Sequence, residues 1–392
     1  MKKNLNKLIR ITTVPISLRV LLKGQHRFMS DNGFRVIGVS SSGSELDEVV
    51  REERIEAIPI EMSRKITPIQ DLKSLWKAYR LLKREKPVIV HTHTPKAGII
   101  GMFAAKLAGV PIRLHTVAGM PLMEVAGGKR MVLDFVERLT YSAATKVYPN
   151  SKGLFDFIVS HRYTSLKKLK VIANGSSNGI NTSLFSKELI SEEQQSLLKN
   201  ELGIGNDDFV FVFVGRLVGD KGVNELVKAF CELNYSSVKL LLVGPVESDL
   251  DPLDSDTLKR INENKNIISV GFQKDVRPYF AISRALVFPS YREGFPNVVM
   301  QAGAMELPAI VSDINGCNEI IIEGKNGTII PVKNVGAIKD AMEMMITNNE
   351  LYLKMKGSAR KMITERYEQQ VVWDALLSEY KDLLKDKGLD NV

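Results

Sequence analysis

Along the first half of the chain, short apolar runs rich in Val and Ile alternate with stretches whose apolar positions recur every third or fourth residue. Runs of about four to eight such residues predict strands, and the wider spacing predicts helices. The predicted strands are LIRITTV, FRVIGVSS, EAIPI, VIVHTHT, IRLHTV, KVYPN and KVIAN. Helical segments such as IQDLKSLWKAYRLLKREK and KAGIIGMFAAKLAG lie between them. In the first of these, Leu72, Leu75, Trp76, Tyr79 and Leu82 share a helical stripe and are expected in the core, with Leu81 outside it.

The rhythm pauses at NGSSNGIN, residues 174–181, a Gly/Ser/Asn-rich linker by composition. It restarts with FVFVFVG, VKLLLVG, IISVGF, ALVFPS, AIVSD and GTIIP, again with helices between. FVFVFVG has no polar position, as expected of a strand covered on both faces. Two successive strand–helix series predict an α/β chain with two doubly wound parallel sheets. The expected boundaries are 1–180 and 181–368, and the final helix, about 369–392, is expected to pack back on the first domain. Ligands of such folds sit beyond the carboxyl ends of the strands, so the cleft between two of them is the expected site.

A length of 392 residues suits two domains better than one core. Hydrophobic content of 44% and charged content of 25% are those of a globular chain, and no run of about 18 apolar residues predicts a membrane span. Arg10, Pro15 and Arg19 interrupt the apolar run after the basic start, which argues against a signal peptide. Cys231 and Cys317 are too few for a disulfide framework or a metal cluster and fit a reducing compartment. Charge changes the picture more. Residues 1–175 carry 30 Lys+Arg against 14 Asp+Glu, a net of +16, within a whole-chain net of +9. A basic front half suggests an anionic partner or a merely solvated surface. Aromatic residues are not interleaved with the basic ones, so nucleic acid is not the expected partner.

The candidate chemistry lies in the second half. GRLVGDKG, residues 215–222, follows the first strand there; a glycine-bounded loop approaches phosphate closely, and Arg216 and Lys221 add positive charge. The P-loop spacing is absent, and no G-x-G-x-x-G follows a predicted strand. Farther on, ALVFPS ends a strand, YREGFPN forms a loop and VVMQAGAM starts a helix, with Pro296 suited to its first turn. The start of that helix favours an anion. Glu293 would be repelled by phosphate alone, and is better explained by neutral hydroxyls, which means a sugar.

The order GRL…DKG, VG, GF…DV, PSYREGFPNVV and PAIVSDINGCNEII…G, over most of residues 205–330, resembles the retaining glycosyltransferases of family 4, with the GT-B fold of two Rossmann-like domains. The resemblance is looser in the first half, resting on residues 91–111 and on HTVAG, 115–119. It implies that Glu293 contacts the donor sugar hydroxyls. It also implies that Gly215, Arg216, Lys221, Gly294, Phe295, Pro296, Asn297 and Val298 surround the donor. His115 is implied to face the sugar, although a lone His at a strand end is often structural. The family's second acid, on the ribose, is replaced by Gln301, whose amide can still accept from one hydroxyl and donate to another. A degenerate, inactive site is the other reading of that change. His91 and His93 share one face of a strand without a carboxylate or Cys at ligand spacing, so a cleft-lining or structural role is preferred to zinc. The acidic run 247–256 reads as a solvated loop. The resemblance implies chemistry without a metal or other cofactor.

The expected reaction is transfer, with retention, from a nucleotide diphosphate sugar, with UDP-hexosamine or UDP-hexose favoured by the resemblance. The segment AGMPLMEVAGGKRM, 118–131, is apolar, then glycine-rich, then basic, which fits a lipid tail with its phosphates or a cleft lid. With the basic front half it suggests a polyprenyl-diphosphate-linked acceptor in capsule, O-antigen or glycoprotein glycan assembly. The protein would then be cytoplasmic and peripheral on the anionic inner face of the membrane. A nucleotide-sugar epimerase of the same architecture and a non-catalytic subunit of a glycan assembly complex are the alternatives.

Overall fold

The computed structural model describes residues 6–65, 67–120, 127–247 and 251–389. Part of the segment expected to meet a lipid, 121–126, and residues 248–250 of the acidic run lie outside the described residues. The chain divides into two compact units. One runs up to Gly179 and resumes at Gln370; the other is Ile180–Gln369.

In the first unit six parallel strands form one sheet: β1 (Asn6–Ile11), β2 (Phe34–Ser40), β3 (Glu56–Pro59), β4 (Ile89–Thr92), β5 (Ile112–Val117) and β6 (Lys146–Pro149). Their spatial order is β3-β2-β1-β4-β5-β6. Successive residues of a strand point to opposite faces, and the core divides accordingly. Ile9 and Ile11 join one buried cluster with Leu82 and Ala104. Leu8 joins another with Leu18, Phe34 and Tyr380. Tyr380 comes from helix Gln369–Asp386, which therefore supplies one face of this unit.

The second unit repeats the plan with β7 (Phe209–Val214), β8 (Val238–Val243), β9 (Ile267–Ser269), β10 (Ala285–Phe288), β11 (Ala309–Ser312) and β12 (Gly327–Ile330). The order is β12-β11-β10-β7-β8-β9, all parallel. Val210, Phe211, Val212 and Phe213 of β7 are fully buried, which explains a strand with no polar position. In both sheets the order reverses beside the first strand, between β1 and β4 and between β7 and β10. The crossover loops leave that point in opposite directions and open a crevice at the carboxyl ends of the strands.

Two sequence expectations fail locally. KVIAN is not a strand: only Leu169, just before it, bridges to Val147, and Ala173 has φ 49°, which breaks extended backbone. In helix Pro68–Glu85 the buried positions are Ser74, Ala78, Leu81 and Leu82, whereas Leu72 and Trp76 are 68% and 59% exposed. This helix packs against helix Pro95–Ala108. Small side chains allow the two to approach, and the Ser74 hydroxyl is satisfied by the Gln70 carbonyl at 2.8 Å. A stripe drawn through the largest apolar residues is therefore rotated away from the face that is buried.

Candidate active site

Two loops of the second unit meet at its reversal point. The loop after β7 contains Gly215, Arg216 and a short turn Gly219–Lys221, and ends at Gly222. Gly222 has φ 70°, and a Cβ there would lie 2.1 Å from the Pro289 carbonyl oxygen, so only glycine lets this loop touch the one after β10. Backbone bonds continue the seam, with the Tyr291 N–H donating to the Asp220 carbonyl at 2.9 Å.

Across that seam Lys221 Nζ lies 2.5 Å from Glu293 Oε1. Ser290, fully buried, donates its hydroxyl to the same carboxylate oxygen at 3.1 Å. The Lys221 and Glu293 side chains are 16% and 18% exposed, so both are held yet reachable from solvent. A third loop, after β11, supports them. Asn315 Nδ2 donates to the Glu293 carbonyl at 3.2 Å and to the Gly294 carbonyl at 2.6 Å. Beside it, Gly316 has φ 76°, and a Cβ would lie 2.7 Å from the Gly294 carbonyl oxygen. Ser290 and Asn315 were not among the residues singled out from sequence. The signal for both was position alone, since each lies one to three residues past the end of a strand flanking the site.

Helix Asn297–Ala304 follows Glu293, with Pro296 as its N-cap residue rather than inside the first turn, and no side chain caps it. Its N-terminal N–H groups and dipole are suited to an anion. Gln301 is half-buried on this helix, and its side-chain amide makes no hydrogen bond to the described residues. Asn297 is exposed. Other positions expected at the donor behave differently. Phe295 turns into the core, edge-on to Tyr367 at 5.3 Å between ring centroids, Pro296 is buried, and Val298 packs against the same core. The side chains of Phe295 and Pro296 are buried, while Val298 stays partly exposed. Arg216 is also set apart: it pairs with Glu247 at 2.7 Å, on the loop after β8, and is 45% exposed. Cys317 is fully buried; burial first, and then the charge of Glu293, push its thiol up, so it stays protonated.

The strand ends of the first unit hold a different constellation. His115 on β5 is 2% exposed, with Nδ1 2.7 Å from the Thr92 hydroxyl. Its ring lies against helix Pro95–Ala108, where a Cβ on Gly98 would come within 2.5 Å of it. Burial holds its pKa down at about 4, so it is neutral at pH 7. In this setting His115 is a packed, neutral imidazole. His91 bridges the Tyr380 and Thr116 hydroxyls at 2.6 and 2.8 Å, and the His93 ring lies tilted against it, 4.1 Å between centroids. Arg10, which in the sequence only interrupts an apolar run, is fully buried and bonded to Gln25 at 2.6 Å and Tyr380 at 3.2 Å. Among the described residues no group of three or more His, Cys, Asp or Glu converges as a metal site.

Two family descriptions match the chain: "Glycosyl transferases group 1" over residues 194–362 and "Glycosyl transferase 4-like" over residues 17–151. A Staphylococcus aureus protein named capsular polysaccharide biosynthesis glycosyltransferase CapM is 34% identical across 97% of this chain and 98% of its own. An Escherichia coli protein named UDP-Gal:alpha-D-GlcNAc-diphosphoundecaprenol alpha-1,3-galactosyltransferase is 28% identical over 83% of both chains. In fold, the chain superposes on Anabaena Alr3699/HepE, solved with UDP, at a TM-score of 0.81, 16% identity and coverage of 96% and 100%.

Proposed function

The chain belongs to the glycosyl transferases of group 1, and we propose that it moves a sugar from a UDP-hexose or UDP-hexosamine to a polyprenyl-diphosphate-linked glycan. The product would enter a capsule, an O-antigen or a protein-linked glycan. The observation that carries this reading is the Lys221–Glu293 pair at 2.5 Å beside an uncapped helix start. Lys221 and the helix N-terminus meet the two phosphates, with Arg216 free to swing from Glu247. Glu293 accepts hydrogen bonds from the sugar hydroxyls, and Gln301 reaches the ribose through its unpartnered amide.

In this reading the anomeric carbon–phosphate oxygen bond breaks and a bond to the acceptor hydroxyl forms on the same face. The acceptor proton passes to the departing phosphate. Lys221 and the helix dipole stabilise charge where it develops, the kind of preorganised electrostatics that dominates such transfers. The residues suffice for this without a metal. His115, neutral and packed, takes no proton-transfer role. The acceptor class is supported by the diphosphoundecaprenol in the name of the Escherichia coli relative and by the basic first half. Among the described residues no helix is long and apolar enough to cross a membrane. Such an enzyme would meet its acceptor as a peripheral protein on the cytoplasmic, anionic membrane face.

Calorimetric titration of the purified protein with UDP, GDP and ADP, without added metal, tests the donor half. Selective binding of UDP is expected. Binding of none by folded protein would mean that Gln301 marks a degenerate site.

A further inference from the structure

Helices Pro68–Glu85, Pro95–Ala108 and Gly127–Ala143 of the first unit enclose an open groove of about 510 Å³. Its walls are Leu72, Leu75, Ile99, Phe103, Val132 and Val136. None of these residues belongs to the phosphate- and sugar-facing loops of the second unit. The volume falls among those of small-molecule pockets, which are mostly apolar with few polar groups. An apolar recess of this size open to water is unfavourable unless something covers it.

The polar groups at the groove suit one kind of occupant. Lys96 and Asp71 neutralise each other at 2.5 Å, and Arg64 stands exposed at the rim. Glu137 is 7% exposed, and burial pushes its carboxyl up to about 7, so near neutrality it is about half protonated and opposes an apolar guest weakly. On helices Pro68–Glu85 and Gly127–Ala143, Ile69, Trp76, Met131 and Phe135 are 77%, 59%, 73% and 62% exposed. The exposed side of the first helix, outside the groove, carries Lys73, Lys77, Arg80, Lys83 and Arg84. Apolar walls with the Arg64 guanidinium at the rim complement an amphiphile with an anionic head. A second copy of the same basic face would be repelled.

We propose that this groove binds part of the isoprenoid chain of the lipid-linked acceptor, with Arg64 toward its phosphates. The proposal rests on the lipid-linked acceptor class argued above and adds a place for the chain. Leu72, which the helical pattern assigned to the core, is a wall of this groove instead. A bilayer surface needs only a flat apolar face with flanking cations; a recess of this volume suits a single chain.

Farnesyl diphosphate, below its micelle concentration, and inorganic diphosphate serve as probes in calorimetric titrations of the full chain. Farnesyl diphosphate should bind at least about ten-fold more tightly. Val136→Phe, which fills the groove, and Leu72→Asp, at an exposed position, should each abolish that preference while leaving UDP binding and the melting temperature unchanged. Equal binding of the two probes, or unaltered preference in both variants, overturns the proposal. So does a protein that ignores farnesyl diphosphate but binds anionic phospholipid vesicles through Leu72, because the face would then contact the bilayer without holding a chain. Failure of UDP to bind defeats the transferase reading alone, since the farnesyl titration reads the groove directly.

Discussion

In the first unit the loops after β1 and β4 are joined by the Thr13 and Thr94 hydroxyls at 2.7 Å; at the equivalent place in the second, the loops after β7 and β10 are joined by Lys221 and Glu293 at 2.5 Å. The strand order is the same in both. The first unit fills its strand ends with a buried, hydrogen-bonded network of Arg10, His91, Thr116 and Tyr380. The second leaves an ion pair and an unpartnered amide within reach of solvent. One topology therefore supports two uses of its reversal point, and side-chain chemistry at the strand ends decides between them.

The most severe way to break this contrast is to remove the charged seam. Glu293→Ala should lower transfer by about 10²–10³-fold or more with an unchanged melting temperature, the scale seen when a preorganised electrostatic group is lost. Thr94→Val, at the equivalent seam, should leave UDP affinity unaltered. Near-normal turnover by Glu293→Ala in a radiolabelled-sugar transfer assay would remove this carboxylate from the mechanism.

Acid separates the units next. All five histidines lie in the first unit, and burial holds His26, His91, His93 and His115 below the ordinary value, His115 at about 4. A group neutral when folded but protonated when unfolded contributes stability that is full above about pH 6.5 and lost as pH falls toward its folded pKa. His115 alone accounts for about 3 kcal/mol over that window. Glu137 acts oppositely: raised to about 7, it lowers stability as pH rises from about 4.5 to 7. Four histidines outweigh one carboxyl, so the first unit should unfold at lower urea at pH 5 than at pH 7. Both tryptophans, Trp76 and Trp373, are in that unit, so their fluorescence reports it alone while circular dichroism reports both. Coincident transitions that ignore pH would contradict the assignment of neutral histidines.

A finer test concerns the amide. Gln301→Ala should cost about 1–3 kcal/mol of UDP binding, whereas Gln301→Glu should retain activity; unchanged affinity in the alanine variant removes Gln301 from the donor site. The smallest effect is expected at Leu72. Its substitution by Ser should change stability by no more than about 0.5 kcal/mol in urea titrations, because the residue is exposed at the groove.

Fold class was legible because parallel strands covered on both faces leave nearly unbroken apolar runs, FVFVFV above all, and helices between them leave a different period. KVIAN shows the limit, since its β-rich composition lost to a left-handed backbone at Ala173. Helix facing was less legible: which side of Pro68–Glu85 is buried depends on how closely its neighbour approaches, and that favours Ser74 and Ala78 over larger residues.

Local order along the chain thus determined two α/β series and put Lys221, Glu293 and Gln301 on loops and helices that leave strand ends, because hydrophobic period and turn chemistry act over a few residues. Tertiary structure alone decided which of those groups meet. Lys221 and Glu293 lie 72 residues apart and are joined by a sheet that sets β7 beside β10. Arg216, five residues from Lys221, is drawn to Glu247 instead. Phe295, two residues from Glu293, is buried in the core. Contact between side chains distant in sequence depends on packing and strand order, which no short stretch of sequence encodes.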